Sequence, residues 1–260
     1  MSPLMRPNPV RARLRAGGTV YGPMAFEFFS PGLMPVLAAA GADFVVLDME
    51  HSGIGIETVK QQIAAARGLP IVPIVRVPGC HYHLIAPILD AGAMGIMVPM
   101  VETAAQAEQI ARWCRYRPEG VRGLGFSVGH DDYVGGDVVA KMREANERTL
   151  VIALIETATG IANAEEILAV AGIDVGWLGH FDLTNTMGIT AQFEHPDFLA
   201  AVQRLTEAAA RNGKAAGFLA TSVAMAEQWR GRGFRCLGFG TDVGLLATAL
   251  ADGLGKLRAG

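Results

Sequence analysis

Glu156 and Asp182 are the residues of this chain whose types and spacing most plainly suggest chemistry. Glu156 directly follows the apolar run Leu150 to Ile155, and Asp182 stands four residues past the end of a second run, Val175 to Leu178. Short runs of this kind read as fully buried parallel strands. Between them Ile161, Ala164, Ile167, Leu168 and Val170–Ala171 keep helical spacing, so residues 149–184 read as a strand–helix–strand unit. Parallel neighbours lie about 4.8 Å apart, which lets both carboxylates reach one point at the carboxyl end of a sheet. Two bare carboxylates that close repel, and one pKa must rise unless a cation sits between them. Each acid alone also has a plain structural reading: Glu156 in a helix N-terminal turn, Asp182 as a helix N-cap. The pair on one rim favours a divalent metal.

Other strand ends add to this rim. One reads Asp48-Met49-Glu50-His51, another Arg76-Val77-Pro78, and the turn before Asp182 is Gly179-His180-Phe181. A His, an Arg and two acids form a coherent set of base, anion clamp and metal ligands. His51 as a solvated loop residue, and Arg76 as a structural partner of Glu50 or Asp48, are the plainer alternatives. Arg76 stands at a strand end, where its loss is expected to leave the core closed. His81 and His83 flank a helix start and read as surface residues; His195 precedes Pro196 and reads as a turn residue. Neither a His-x-x-x-His pair nor a Cys/His cluster points to zinc. Two carboxylates without imidazole or thiolate suit a hard ion, Mg²⁺ or Mn²⁺, with Co²⁺ a further candidate. A Schiff-base mechanism needs a Lys at a strand end. Of Lys60, Lys141, Lys214 and Lys256, only Lys214 adjoins a strand, at its start and so on the wrong rim.

The elements that must position these groups alternate. Strands are expected at Thr19–Ala25, Phe44–Asp48, Ile71–Arg76, Gly95–Pro99, Leu150–Ile155, Val175–Leu178, Ala215–Leu219 and Cys236–Gly240. Helices are expected near 31–40, 56–67, 82–91, 103–115, 161–171, 196–212, 221–232 and 242–254. Gly41, Gly68, Gly92, Gly172, Gly213 and Gly233 each sit just past a helical pattern, as C-terminal caps do. Eight alternations in one chain predict an α/β fold, a closed (β/α)₈ TIM barrel in a single domain over 19–260, after an N-terminal arm over 1–18. A doubly wound sheet is disfavoured because no GxGxxG follows the first strand. Residues 116–136 are Gly-rich and polar, and this long loop is expected on the active-site rim after strand four.

The arm carries Arg6, Arg11, Arg13 and Arg15 without an acid, yet Pro3, Pro7 and Pro9 break any long amphipathic helix, so it reads as a short loose segment entering a helical turn. The 260 residues suffice for a sizeable core. A balance of 22 basic against 25 acidic residues gives no basic stripe for nucleic acid. No apolar run reaches the roughly 18 residues a membrane helix needs. Three cysteines in no paired spacing, Cys80, Cys114 and Cys236, suggest reduced core thiols and a cytoplasmic setting.

The runs FVVLDMEH (44–51), IVRVPG (74–79), ILDAGAMGIMVPMVET (88–103), RGLG (122–125), ALIET (153–157) and WLGHFDLTNTMG (177–188) resemble the HpcH/HpaI family of class II pyruvate aldolases, as does GKAAGFLA followed by FGTD. The likeness runs from about residue 19 to 250. It implies a metal held by Glu156 and Asp182, and an Arg76 that contacts pyruvate and its enolate oxygen. It implies a general base at His51 working with Asp48, and a further acid at Asp90, supplied in some members across a subunit boundary. It implies that backbone N–H groups near Gly179, His180 and Phe181 hold the pyruvate carboxylate. It also implies hexamers built as trimers of dimers that exchange their last helices. Leu154 stands where many members carry Gln, and His180 where Pro is usual; both border the metal and bear on the donor substrate. The loop after Arg122 lacks the usual basic, Tyr-rich run and bears on the acceptor.

The expected activity is reversible cleavage of a 4-hydroxy-2-oxo acid to an aldehyde and pyruvate, or a close 2-oxo acid such as hydroxypyruvate. In it a divalent metal acts as Lewis acid on the chelated 2-oxo acid, Arg76 adds fixed positive charge at the enolate oxygen, and His51, oriented by Asp48, moves the hydroxyl proton. Oxaloacetate decarboxylation and acyl-CoA cleavage use the same enolate and are the alternatives. A barrel that binds metal and oxo acid without turnover is a third.

Overall fold

The computed structural model describes residues 4–259, so Pro3 lies outside the described residues. Eight parallel strands close into a barrel in sequence order: β1 (Val20–Ala25), β2 (Phe44–Asp48), β3 (Val72–Arg76), β4 (Gly95–Val98), β5 (Leu150–Ile155), β6 (Val175–Leu178), β7 (Ala215–Ala220) and β8 (Phe234–Thr241). The helices are α1 (Pro9–Arg15), α2 (Leu33–Ala39), α3 (Ile56–Ala65), α4 (Tyr82–Ala91), α5 (Ala104–Trp113), α6 (Val138–Arg148), α7 (Ala158–Ala162), α8 (Ala164–Ala169), α9 (His180–Thr186), α10 (Pro196–Arg211), α11 (Val223–Gly231) and α12 (Asp242–Ala259).

Strand alternation makes two cores. Leu150, Ile152 and Leu154 of β5 point inward with Phe44, Val46, Ile74 and Trp177, while Val151, Ala153 and Ile155 point outward under the helices. The expected glycine caps all adopt positive φ, from 66° at Gly213 to 111° at Gly92, which a residue with a Cβ rarely adopts. Segment 4–18 is tied to the barrel. Val10 and Leu14 of α1 are buried in the inner core, and Asn8 donates to the carbonyls of Met94 and Arg148.

Three expectations about elements are corrected. The helix expected over 161–171 is two helices, parted at Asn163, whose side chain donates to the Glu102 carbonyl. Helix α6 has no counterpart in the apolar pattern, because its buried face includes Lys141, Asn146 and Arg148, polar residues that periodicity counts as outward. The loop 116–136 does not follow a strand; it joins α5 to α6. It packs on the returning end of α4 and on the N-terminal segment, through Arg122–Asp90 at 2.5 Å and Arg6–Asp132 at 2.9 Å. Those contacts are away from the carboxyl rim, although Gly123 donates to the hydroxyl of Tyr82 at the start of α4.

Candidate active site

Strands β2 and β3 pair so that Asp48 stands opposite Arg76. Asp48 is fully buried, and Arg76 donates to both its oxygens, from Nε at 2.6 Å and from Nη2 at 2.9 Å. Burial would lower the Arg76 pKa, but the bonds to Asp48 and the charges of Glu50 and Glu156 outweigh it and hold it above the usual value. A buried pair of this kind couples the rim to the fold, since removing one partner strands a buried charge. The expectation that Arg76 could be lost without structural effect is therefore corrected. Asp48 also accepts the backbone N–H groups of Glu50 and His51, each at 3.0 Å. Its carboxylate is thus filled by the guanidinium and backbone. The His51 ring lies instead 3.8 Å from Glu50 Oε2, so Asp48 orients Arg76 rather than the imidazole.

Glu50 was legible in the sequence only as a structural partner. Its Oε2 lies 3.3 Å from Arg76 Nη1 and is buried without a hydrogen bond. Burial raises its pKa, helped by Asp48 and Asp182 against Arg76 and His51.

On the neighbouring strands, Glu156 follows β5. Thr157 takes the N-cap of α7 by accepting the Gly160 N–H, which leaves Glu156 to the rim. Glu156 is 4% exposed, and burial, with the nearby Glu50 and Asp182, pushes its pKa up to about 7. Its Oε1 accepts the Met100 N–H at 2.9 Å, and Met100 is held at φ 56° at the end of β4. Nothing in the run MVPM marks Met100 in advance. Asp182 lies in the first turn of α9, whose cap is Gly179, so the N-cap reading of Asp182 is set aside. At Gly179 a Cβ would come within 2.4 Å of Glu156 Oε2, so only glycine lets β6 and α9 approach this carboxylate.

These residues fit a divalent ion. Glu156 is buried next to other acids, Glu50 holds an unpartnered oxygen, and Gly179 keeps the space beside Glu156 clear. Two protein carboxylates with open positions are the donor set of a hard ion that keeps room for substrate and water. Among the described residues no group of three or more His, Cys, Asp or Glu side chains gathers closely enough to enclose an ion unaided.

The remaining expected residues divide. His180 packs among Phe181, Phe193 and Phe218, with ring centroids 4.6 to 5.1 Å away, and burial lowers its pKa to about 4. It is a neutral, apolar neighbour of the rim. Phe181 is exposed. Leu154 is buried inside the barrel opposite Trp177, one inward position below Glu156. Asp90 is in the last turn of α4, at the far end, bound to Arg122, so within one chain it does not join the others. Cys114 and Cys236 are buried free thiols, raised by burial to about 11 and about 12, and Cys80 is half-buried.

Residues 26–249 match the model of the HpcH/HpaI aldolase/citrate lyase family. The chain is 36% identical to a hydroxypyruvate/pyruvate aldolase of Roseobacter denitrificans, over 92% of this chain and 93% of that protein. It is 34% identical to a 5-keto-4-deoxy-D-glucarate aldolase of Klebsiella pneumoniae, over 96% and 98%. A solved HpcH/HpaI aldolase/citrate lyase family protein from Burkholderia cenocepacia superposes with a TM-score of 0.90 at 32% identity, covering 96% of this chain and 99% of that one.

Proposed function

This chain belongs to the HpcH/HpaI aldolase/citrate lyase family, and from that premise we propose how its rim cleaves a carbon–carbon bond. It is a lyase of the class II aldolase type, acting on a 2-oxo acid. The substrate is a 4-hydroxy-2-oxo acid, and the products are an aldehyde and pyruvate or hydroxypyruvate. Glu156 and Asp182 would hold a divalent ion, Mg²⁺ or Mn²⁺, with Co²⁺ accepted in its place. Such an ion would supply Lewis acidity to the bound 2-oxo acid. Arg76, locked by Asp48, presents fixed positive charge where negative charge develops on the C2 oxygen. The first backbone N–H groups of α9, those of His180 and Phe181, lack helical partners and orient the substrate carboxylate, whereas the Gly179 N–H is already given to the Ile155 carbonyl.

His51 takes the proton of the C4 hydroxyl; the C3–C4 bond then breaks, its electron pair passes to the enolate, and a proton returns to C3. Glu50, not Asp48, is the carboxylate beside His51. Asp90 serves the site of a neighbouring subunit. The observation that carries this reading is the gathering of Arg76, Glu50, Glu156 and Asp182 on one rim with the unsatisfied Glu50 oxygen among them.

The test treats purified protein with chelator, then supplies pyruvate with a panel of aldehydes, and oxaloacetate separately, with and without Mg²⁺, Mn²⁺ or Co²⁺. Aldol product should form only with added metal, and Glu156→Gln should need far more of it. Undiminished turnover in metal-free protein overturns the reading, and pyruvate released only from oxaloacetate assigns decarboxylation instead.

The chain assembles with copies of itself, as a hexamer built from dimers; the bare apolar face of α12 supports association. Among the described residues no helix is long and apolar enough to cross a membrane, and the free thiols suit a reducing compartment such as the cytoplasm.

A further inference from the structure

A cavity of about 800 Å³ runs along α5 to the amino-terminal end of the barrel, between α1, the end of α6, and α8 with its turn into β6. None of the rim residues lines it. Its floor is cationic. Arg11 and Arg115 are 4% and 5% exposed, and Arg15 and Arg112 reach it from the surface. One carboxylate answers them. Asp174 lies 2.9 Å from Arg11 Nε, 3.7 Å from Arg15 Nε and 3.8 Å from Arg115 Nη2. Asp174 is also bound to the Val151 N–H; Arg11 turns its Nη1 to the Asn146 and Glu147 carbonyls, which leaves Arg15 and Arg115 the less satisfied pair.

Arg115 carries the argument furthest. Its Nη2 donates to the Gly172 carbonyl, while its Nη1 is buried without a hydrogen-bond partner. A buried charged donor without an acceptor is costly, and an acceptor supplied by a ligand removes that cost. Four glutamates, Glu108, Glu119, Glu147 and Glu166, also line the cavity, but all four are exposed and stand at its mouth. The Arg11 pKa is lowered by burial, with Arg115 and Arg15 pushing the same way and Asp174 opposing. The lining as a whole is balanced, four arginines against four glutamates, but three of the arginines lie within 3.8 Å of Asp174 while the glutamates are exposed.

We propose that this floor binds a small oxyanion, the phosphate or carboxylate group of a small ligand, at a site separate from the catalytic rim. Guanidinium forks match such groups in geometry as well as charge. Because α1 contributes Arg11 and Arg15, an anion here would also tie the N-terminal helix to the barrel.

The test is calorimetric titration of the full chain with inorganic phosphate, and separately with succinate, at constant ionic strength. The wild type should bind one anion per chain beyond any taken by the rim, and its melting temperature should rise with occupancy. Phosphate at about 100 times its Kd should raise Tm by roughly 5–10 °C. The double variant Arg15→Ala/Arg112→Ala alters only exposed side chains and should bind at least about tenfold more weakly, the equivalent of about 1.4 kcal/mol. Arg115→Met should lose binding, with circular dichroism checking its fold. Arg76→Lys should bind as the wild type does, which separates this site from the rim. Tighter binding of phosphate than of succinate assigns a phosphoryl group, and the reverse a carboxylate. No binding of either anion, equal affinity in the double variant, or loss in Arg76→Lys overturns the proposal.

Discussion

Arg76 and Asp48 are both nearly inaccessible, so the proposed charge clamp is also a buried ion pair. Arg76→Ala is expected to lower turnover about 10²–10³-fold and to cost about 3–5 kcal/mol in stability, because Asp48 is left charged and buried. The double variant Asp48→Leu/Arg76→Met should regain most of that stability and none of the activity. Denaturant unfolding beside aldol assays checks both, and recovery of activity in the double variant would move the clamp elsewhere. His51 differs, since its side chain is 58% exposed and touches the fold little. His51→Ala should slow aldol cleavage about 10²–10⁴-fold yet leave deuterium exchange at the pyruvate methyl largely intact. Equal losses in the two reactions would count against its role as base.

The long segment between α5 and α6 closes over a buried group that titrates. His130 packs against Tyr116 and Phe126, and burial lowers its pKa, assisted by Arg122 and Arg148 and opposed by the Gly125 carbonyl and Asp131. Its folded pKa lies below its unfolded one, so the folded state binds fewer protons. The sign follows: stability is complete above the unfolded value of 6.5 and falls as pH drops below it. Hydrogen exchange of residues 120–134 should therefore quicken between pH 7.5 and pH 5.5 relative to the strands, after correction for intrinsic rates. His130→Phe should flatten that dependence. An unchanged profile in the variant would assign the opening to other groups.

Helix α12 is anchored at its start, where Asp242 accepts the N–H groups of Phe26, Glu27 and Phe28, but none of its 18 residues is buried. Leu246, Leu250 and Leu257 are 57%, 59% and 80% exposed. An apolar helix left in water is a surface awaiting a partner, and a copy of the same chain is the occupant the oligomer reading requires. Leu246→Glu/Leu250→Glu should shift the mass in light scattering towards one chain while the barrel keeps its circular dichroism. Retention of the wild-type mass would show that association runs through another face.

Much of the barrel was legible because fully buried parallel strands must be apolar throughout. Phe44–Asp48, Leu150–Ile155 and Val175–Leu178 match residue for residue, and the glycine caps mark where each helix must turn left-handed. The acids and bases at strand ends were legible for the same reason, since charge at the end of an apolar run has to face a rim. Pairings were not. That Asp48 grips Arg76 while Glu50 faces His51 depends on register across β2 and β3 and on backbone N–H groups already filling Asp48, neither of which spacing encodes. Helix α6 escaped because its inward face is polar, and the loop before it was misplaced because a polar stretch carries no sign of which end of a barrel it covers. The sequence alone determined the alternation of elements and the chemistry available at the strand ends; only the closed barrel decided which charges meet, because contacts between distant residues follow from packing and register rather than local pattern.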